Sequence, residues 1–81
     1  MWNDRLRFAE RVADDWRNLD QDERDAARVV LERLDNDPIA GSPLYAPYRG
    51  LWSLRVGTLR ILYRLPPEAR AVFVLLIERA E

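Results

Sequence analysis

The side chains with most chemical potential here are thirteen arginines in a chain with no lysine, histidine or cysteine. An arginine offers a planar fork of five donors that fits phosphate or carboxylate, but its guanidinium holds its proton too tightly to trade it. Such a chain can grip anions and has few groups for acid–base work. In Leu59–Leu65, strict alternation places Leu59, Ile61, Tyr63 and Leu65 on one face and Arg60, Leu62 and Arg64 on the other. Two forks on one face, Arg60 and Arg64, could hold a phosphate bidentately. Arg55 and Arg49 lie just upstream. The alternative for these arginines is a solvated surface paired with Glu68 and the helix acids, and a GC-rich coding sequence would also favour arginine over lysine. Tyr45 and Tyr48 could carry a proton only if their loop folds over Arg60; otherwise they pack. Trp52 either stacks a base or packs on the sheet. Glu78 and Glu81 are the carboxylates nearest the C-terminal end. With no Cys/His cluster, neither a metal nor a cofactor is expected.

Eighty-one residues make one domain, spanning 1–81, that buries only about 60% of its unfolded surface. No disulfide can staple it, so packing must hold it. A hydrophobic content of 48% beside 33% charged residues suits a globule rather than a disordered chain. No apolar run approaches the length of a membrane span. The opening MWNDRLRFAERVADDW has acids where a signal peptide needs an apolar core, which argues against secretion and for the cytoplasm. The net charge of −1 hides an asymmetry: residues 1–37 carry −4 and residues 38–81 carry +3. The basic half suits phosphates or an acidic protein segment, while the overall acidity argues against strong non-specific nucleic-acid binding.

The elements that must position these side chains can be read in order. Arg5-Leu6-Arg7-Phe8 alternates and predicts a short strand with Leu6 and Phe8 inward. Phe8, Val12, Trp16 and Leu19 then form a helical stripe about ten residues long, with Arg11, Asp14, Asp15 and Arg17 on the wet side. Asp20, with Glu23 three residues later, is a capping box opening a second helix whose apolar face is Ala27, Val30, Leu31 and Leu34. Asp37-Pro38 ends it. Residues 38–50, with three prolines and two glycines, read as an ordered loop anchored by Leu44, Tyr45 and Tyr48. Leu51–Val56 and Leu59–Leu65 form a hairpin turned at Gly57-Thr58. Pro66–Arg70 makes the next turn. Ala71–Ile77, apolar on both faces, reads as a central strand. The order β-α-α-β-β-β predicts an α+β domain, a helical hairpin packed on a small antiparallel sheet.

This order and several motifs resemble the RelE/ParE superfamily of toxins from type II toxin–antitoxin systems. Tyr48-Arg49-Gly50-Leu51-Trp52-Ser53-Leu54-Arg55-Val56-Gly57-Thr58-Leu59-Arg60-Ile61-Leu62-Tyr63 is similar to the family hairpin G-L-W-R-L-R-V-G-x-Y-R-V-I-Y. Leu34-Asp35-Asn36-Asp37-Pro38 and Pro43-Leu44 resemble its L-x-x-D-P … P-L segment. The resemblance covers residues 5–79 and implies the RelE-like fold and a partner antitoxin that wraps and silences the toxin. RelE-type members cut messenger RNA in the ribosomal A site without a metal; ParE-type members poison DNA gyrase. For this chain the resemblance implies ribosome-dependent mRNA cleavage, with a ParE-like or catalytically silent protein-binding relative, or antitoxin-linked autoregulation, as the alternatives. Arg60 and Arg55 match two of the arginines of the hairpin, the former at a position that contacts the scissile phosphate. Arg79 falls where the family's G-H-R-x-x-x-Y has histidine, Ala80 where it has arginine, and the tyrosine has no counterpart. Arg64, Arg49, Tyr48, Tyr45 and Trp52 are the expected contacts to RNA or antitoxin. The missing histidine and lysines imply either an atypical nuclease or a native chain that continues beyond Glu81. An antitoxin arm would bring acids to Arg55, Arg60, Arg64 and Arg79, and apolar contacts or an added strand to Val72, Val74 or Leu76.

Overall fold

A computed structural model describes residues 5–66 and 70–80. The expectations resting on Glu68 and Glu81 lie outside the described residues.

The chain forms β1 (Leu6–Phe8), α1 (Arg11–Arg17), α2 (Gln21–Asn36), β2 (Ser42–Pro43), β3 (Leu51–Val56), β4 (Leu59–Arg64) and β5 (Val72–Arg79). The strands make one sheet in the order β1-β5-β4-β3-β2. Two features differ from the sequence reading. β1 pairs with β5 in parallel, so the sheet is mixed rather than antiparallel. The two helices between β1 and the hairpin provide the long crossover that a parallel neighbour requires. The loop also contains a two-residue strand: Ser42 and Pro43 lie opposite Ser53 and Trp52, making β2 the far edge. Proline is tolerated at such an edge.

One face of the sheet carries the core. Leu59, Ile61, Tyr63, Val72, Val74 and Ile77 are buried there against Val12, Leu19, Ala27, Val30, Leu31 and Leu34 of the helical layer, with Leu6 from β1. The apolar face read for α2 is therefore the buried one. Its capping box is present: the Asp20 carboxylate accepts from Glu23 N–H at 2.8 Å, and the Glu23 carboxylate accepts from Asp20 N–H at 2.9 Å. α1 is shorter than expected, seven residues, and opens without a side-chain cap.

Two residues of that segment depart from their expected surroundings. Phe8 remains 48% exposed, because it lines an apolar groove of about 780 Å³ with Ala9, Val12, Ala13, Trp16 and Leu31. Asp15 is not on the wet side; its side chain is only 12% exposed and accepts a hydrogen bond from Ile77 N–H at 3.1 Å, while Arg11 binds both its oxygens. The reason is that β1 pairs only as far as Val74, so beyond it the edge of β5 needs another acceptor, which α1 supplies. Asp35, fully buried at the other end of the helical layer, accepts from Arg5 N–H at 3.0 Å.

No helix among the described residues is long and apolar enough to cross a membrane.

Candidate anion-binding face

The sheet face away from the helices is built from three cross-strand rows, since residues directly opposite in neighbouring strands point to the same side. One row is Arg55–Arg60–Glu78, the next Ser53–Leu62–Leu76, and the third Leu51–Arg64–Phe73 with Arg7 beyond it. Arg60 and Arg64 do share a face, as alternation predicts. Four residues of strand hold their Cα atoms about 13 Å apart, however. The tighter pair is Arg55 with Arg60, whose Cβ atoms stand about 5 Å apart as opposite residues. Like charges placed directly opposite repel, and an anion between them relieves that repulsion. Glu78 supplies part of this relief, its Oε2 lying 3.1 Å from Arg60 Nη2.

Beside this row is a cavity of about 440 Å³ lined by Leu44, Tyr48, Leu51, Ser53, Arg60 and Leu62. The loop thus brings Tyr48 over the sheet next to Arg60. It does not act as a packed anchor: Tyr48 is 58% exposed and Tyr45 is 85% exposed, so only Leu44, half-buried, fits the anchoring expected of the three. Tyr45 and Arg49 stand on the exposed loop outside the cavity lining. What fixes the loop is a residue of the core. The Tyr63 hydroxyl donates to Pro38 C=O and accepts from Gly41 N–H, both at 3.0 Å. Burial pushes the Tyr63 hydroxyl pKa up, opposed by the Gly41 N–H bond, so the hydroxyl keeps its proton and its donor role.

Two expected site residues lie on the other face. Trp52 faces the helix side, partly buried against the core, and stacks on Tyr63 with ring centroids 6.2 Å apart. It cannot meet a base on the open face. Arg79 is opposite Leu59, a core residue, and its guanidinium binds both Glu23 oxygens at 2.7 Å and Asn18 C=O at 2.8 Å. That pairing raises the Arg79 pKa further and, with the Asp20 N–H bond, lowers that of the Glu23 carboxyl. The cause is a bulge in β5: Tyr63 faces Val74 and Leu62 faces Leu76, leaving Leu75 without an opposite number. One extra residue reverses the alternation beyond it. Val72, Val74, Ile77 and Arg79 therefore all point to the helix side, and Glu78 turns outward. The same shift overturns the expectation of exposed apolar surface at Val72 and Val74, which are buried; Phe73, 39% exposed, and half-buried Leu76 form the outer apolar surface instead.

The comparisons with known proteins agree with this architecture. Residues 6–81 match the family model described as the ParE toxin of the type II toxin–antitoxin system parDE. The fold is similar to that in the RelBE2 toxin–antitoxin complex of Mycobacterium tuberculosis, with a TM-score of 0.80 and 31% identity over 91% of this chain and 94% of that one. It is also similar to the isolated RelE toxin of E. coli, with a TM-score of 0.77 and 25% identity over 94% and 83% of the two chains. The fold alone is shared with the archaeal RelE–RelB complex of Pyrococcus horikoshii, at a TM-score of 0.74 and 13% identity over 93% and 92%. No curated protein shows significant sequence similarity to the chain. An open sheet face with paired arginines, on a helical hairpin and mixed sheet shared with these toxins, belongs to a member of the ParE toxin family of type II toxin–antitoxin systems.

Proposed function

We propose that this toxin arrests growth by cleaving messenger RNA on the ribosome, in the manner the RelE-type resemblance implies, and that it works in the cytoplasm without a metal. The observation that carries this reading is the Arg55–Arg60 pair on the exposed sheet face, with Tyr48 and Ser53 beside it. Attack of a 2′-hydroxyl on the adjacent phosphorus, with loss of its proton, forms a 2′,3′-cyclic phosphate and breaks the P–O5′ bond, the 5′-oxygen leaving with a proton. On the way, extra negative charge develops on the phosphorus oxygens. Two guanidinium forks from opposite positions of the sheet would stabilise that charge. Tyr48, which lines the same cavity as Arg60, is a candidate for proton transfer.

A second reading, inhibition of DNA gyrase by protein contact, is favoured by one observation. Arg79, at the position where the resemblance places histidine, is held on the helix side by Glu23. That removes it from the phosphate face as a catalytic group. Induction of the toxin followed by mapping of transcript 5′ ends separates the two. New ends at codon-phased positions, lost in Arg60→Ala together with growth arrest, are the expected result. Gyrase-linked DNA breaks with intact transcripts would establish the second reading instead.

Two surfaces suit the cognate antitoxin that this reading requires. The arginine face would take acids of a folding-on-binding arm, and the groove along Phe8, Val12 and Trp16 would take its apolar side chains.

A further inference from the structure

We infer that Glu78 is a built-in competitor for the phosphate site, holding Arg60 until an RNA phosphate takes the carboxylate's place. The inference rests on the reading that the open face binds RNA phosphate.

Its grounds are geometric. Arg60 lies between two opposite numbers in one row, Arg55 on β3 and Glu78 on β5. The contact from Arg60 Nη2 to Glu78 Oε2 is 3.1 Å, a hydrogen-bonded ion pair. Among the described residues, Glu78 is the one carboxylate that strand register places on this face. Its position is not a product of plain alternation, since the bulge at Leu75 turns it outward and sends Arg79 inward. The neighbouring cation Arg11 also feels the Glu78 charge, but its Nε and Nη2 are turned to the two Asp15 oxygens. Glu78 therefore has Arg60 as its working partner.

The pair is also weak enough to be exchanged. The Arg60 and Glu78 side chains are 45% and 33% exposed, so water and salt screen their attraction. A phosphate bridging Arg55 and Arg60 gains two charged forks where Glu78 engages one. While Glu78 stays close, it repels that phosphate and lowers the affinity for any RNA. The penalty lowers every affinity by the same factor, so a message held by further contacts stays bound where stray RNA is released.

The test is fluorescence anisotropy with a labelled decauridine RNA, titrated over a range of salt concentrations, with wild type, Glu78→Gln, Arg60→Ala and the double variant. Glutamine keeps the shape of glutamate, so the row is preserved without the charge. Glu78→Gln should bind about three- to fivefold more tightly at low salt, the upper scale of one exposed charge pair. Its plot of log affinity against log salt should steepen by about 0.7, one further counterion released from a single strand. In the Arg60→Ala background the same substitution should change affinity less than twofold. If Arg60→Ala binds as tightly as wild type, the phosphate site itself is refuted and the competitor with it. If Arg60→Ala weakens binding while Glu78→Gln leaves it unchanged, the site stands and the competitor role falls. Tightening that persists in full without Arg60 would mark a general charge effect and overturn the inference.

Discussion

At the scale of single residues, Tyr63 and Gly41 carry more than their places in the sequence suggest. Alternation marks Tyr63 as inward, and it is fully buried. Its second task, tying the loop to the sheet through Pro38 and Gly41, depends on partners 25 and 22 residues away. Tyr63→Phe keeps the ring and strands both backbone groups, which should cost about 1–3 kcal/mol. The readout is a lower urea midpoint at unchanged slope. Gly41 allows the close approach: a Cβ there would lie 2.5 Å from the Tyr63 hydroxyl and 2.6 Å from Ser53 C=O. Gly41→Ala should therefore destabilise by about 1–3 kcal/mol through crowding, since the Ser53 carbonyl is fixed in its strand. The sequence offered Gly41 only as a turn signal, because nothing local announces a strand folding over it. Glu23 allows a pH prediction. Its carboxyl pKa is depressed in the fold, first by Arg79, so its contribution is present above the ordinary glutamate range and lost as acid carries the pH through the lowered value. In Arg79→Ala the Glu23 carboxyl should titrate at higher pH by NMR, yet stay below an ordinary glutamate because the Asp20 N–H bond remains.

At the scale of elements, what was legible was what is local. α2 declared its start by the Asp20–Glu23 box and its buried face by the spacing of Ala27, Val30, Leu31 and Leu34. Asp20→Ala should cost about 1 kcal/mol, measured by chemical denaturation. The β3–β4 hairpin was equally plain, since Gly57 takes a positive φ of 54° at the turn and both strands alternate. α1 is shorter than its apolar stripe suggests, and Asp15 is missing from its wet face. Asp15 stands four residues after Arg11, the spacing of an ordinary surface ion pair, so its hold on Ile77 62 positions away could not be seen. Asp15→Ala should leave that strand amide without its acceptor and speed its hydrogen exchange, while amides in the middle of β4 keep their protection. β2 was hidden for a related reason: two residues, one a proline, have no alternation to show.

At the scale of the whole molecule, the charge asymmetry of the sequence is a spatial one. The acidic helices cover one side of the sheet, and Arg55, Arg60 and Arg64 line the other. Composition revealed the imbalance, and alternation along β4 revealed which arginines share the exposed side. The sorting of Arg79 away from them was not legible, because an apolar strand with hydrophobic residues on both faces conceals its phase, whereas alternation along β3 already sets Trp52 on the face opposite Arg55. If an acidic antitoxin arm occupies this side while apolar residues fill the groove beside Phe8, its affinity should fall with salt to a plateau rather than vanish. The salt-sensitive part should shrink in Arg60→Ala, as calorimetry at several ionic strengths would show. The kink at position 75 adds a constraint of its own. Straightening β5 with all its residues kept would drive Glu78 toward the helices and leave Ile77 wet, two penalties that lock the irregularity in place. Shortening the strand by one leucine there would instead keep Ile77, Glu78 and Arg79 beside their present neighbours. The sign of the charge meeting Arg60 is thus decided by a count of residues and not by which residue is chosen.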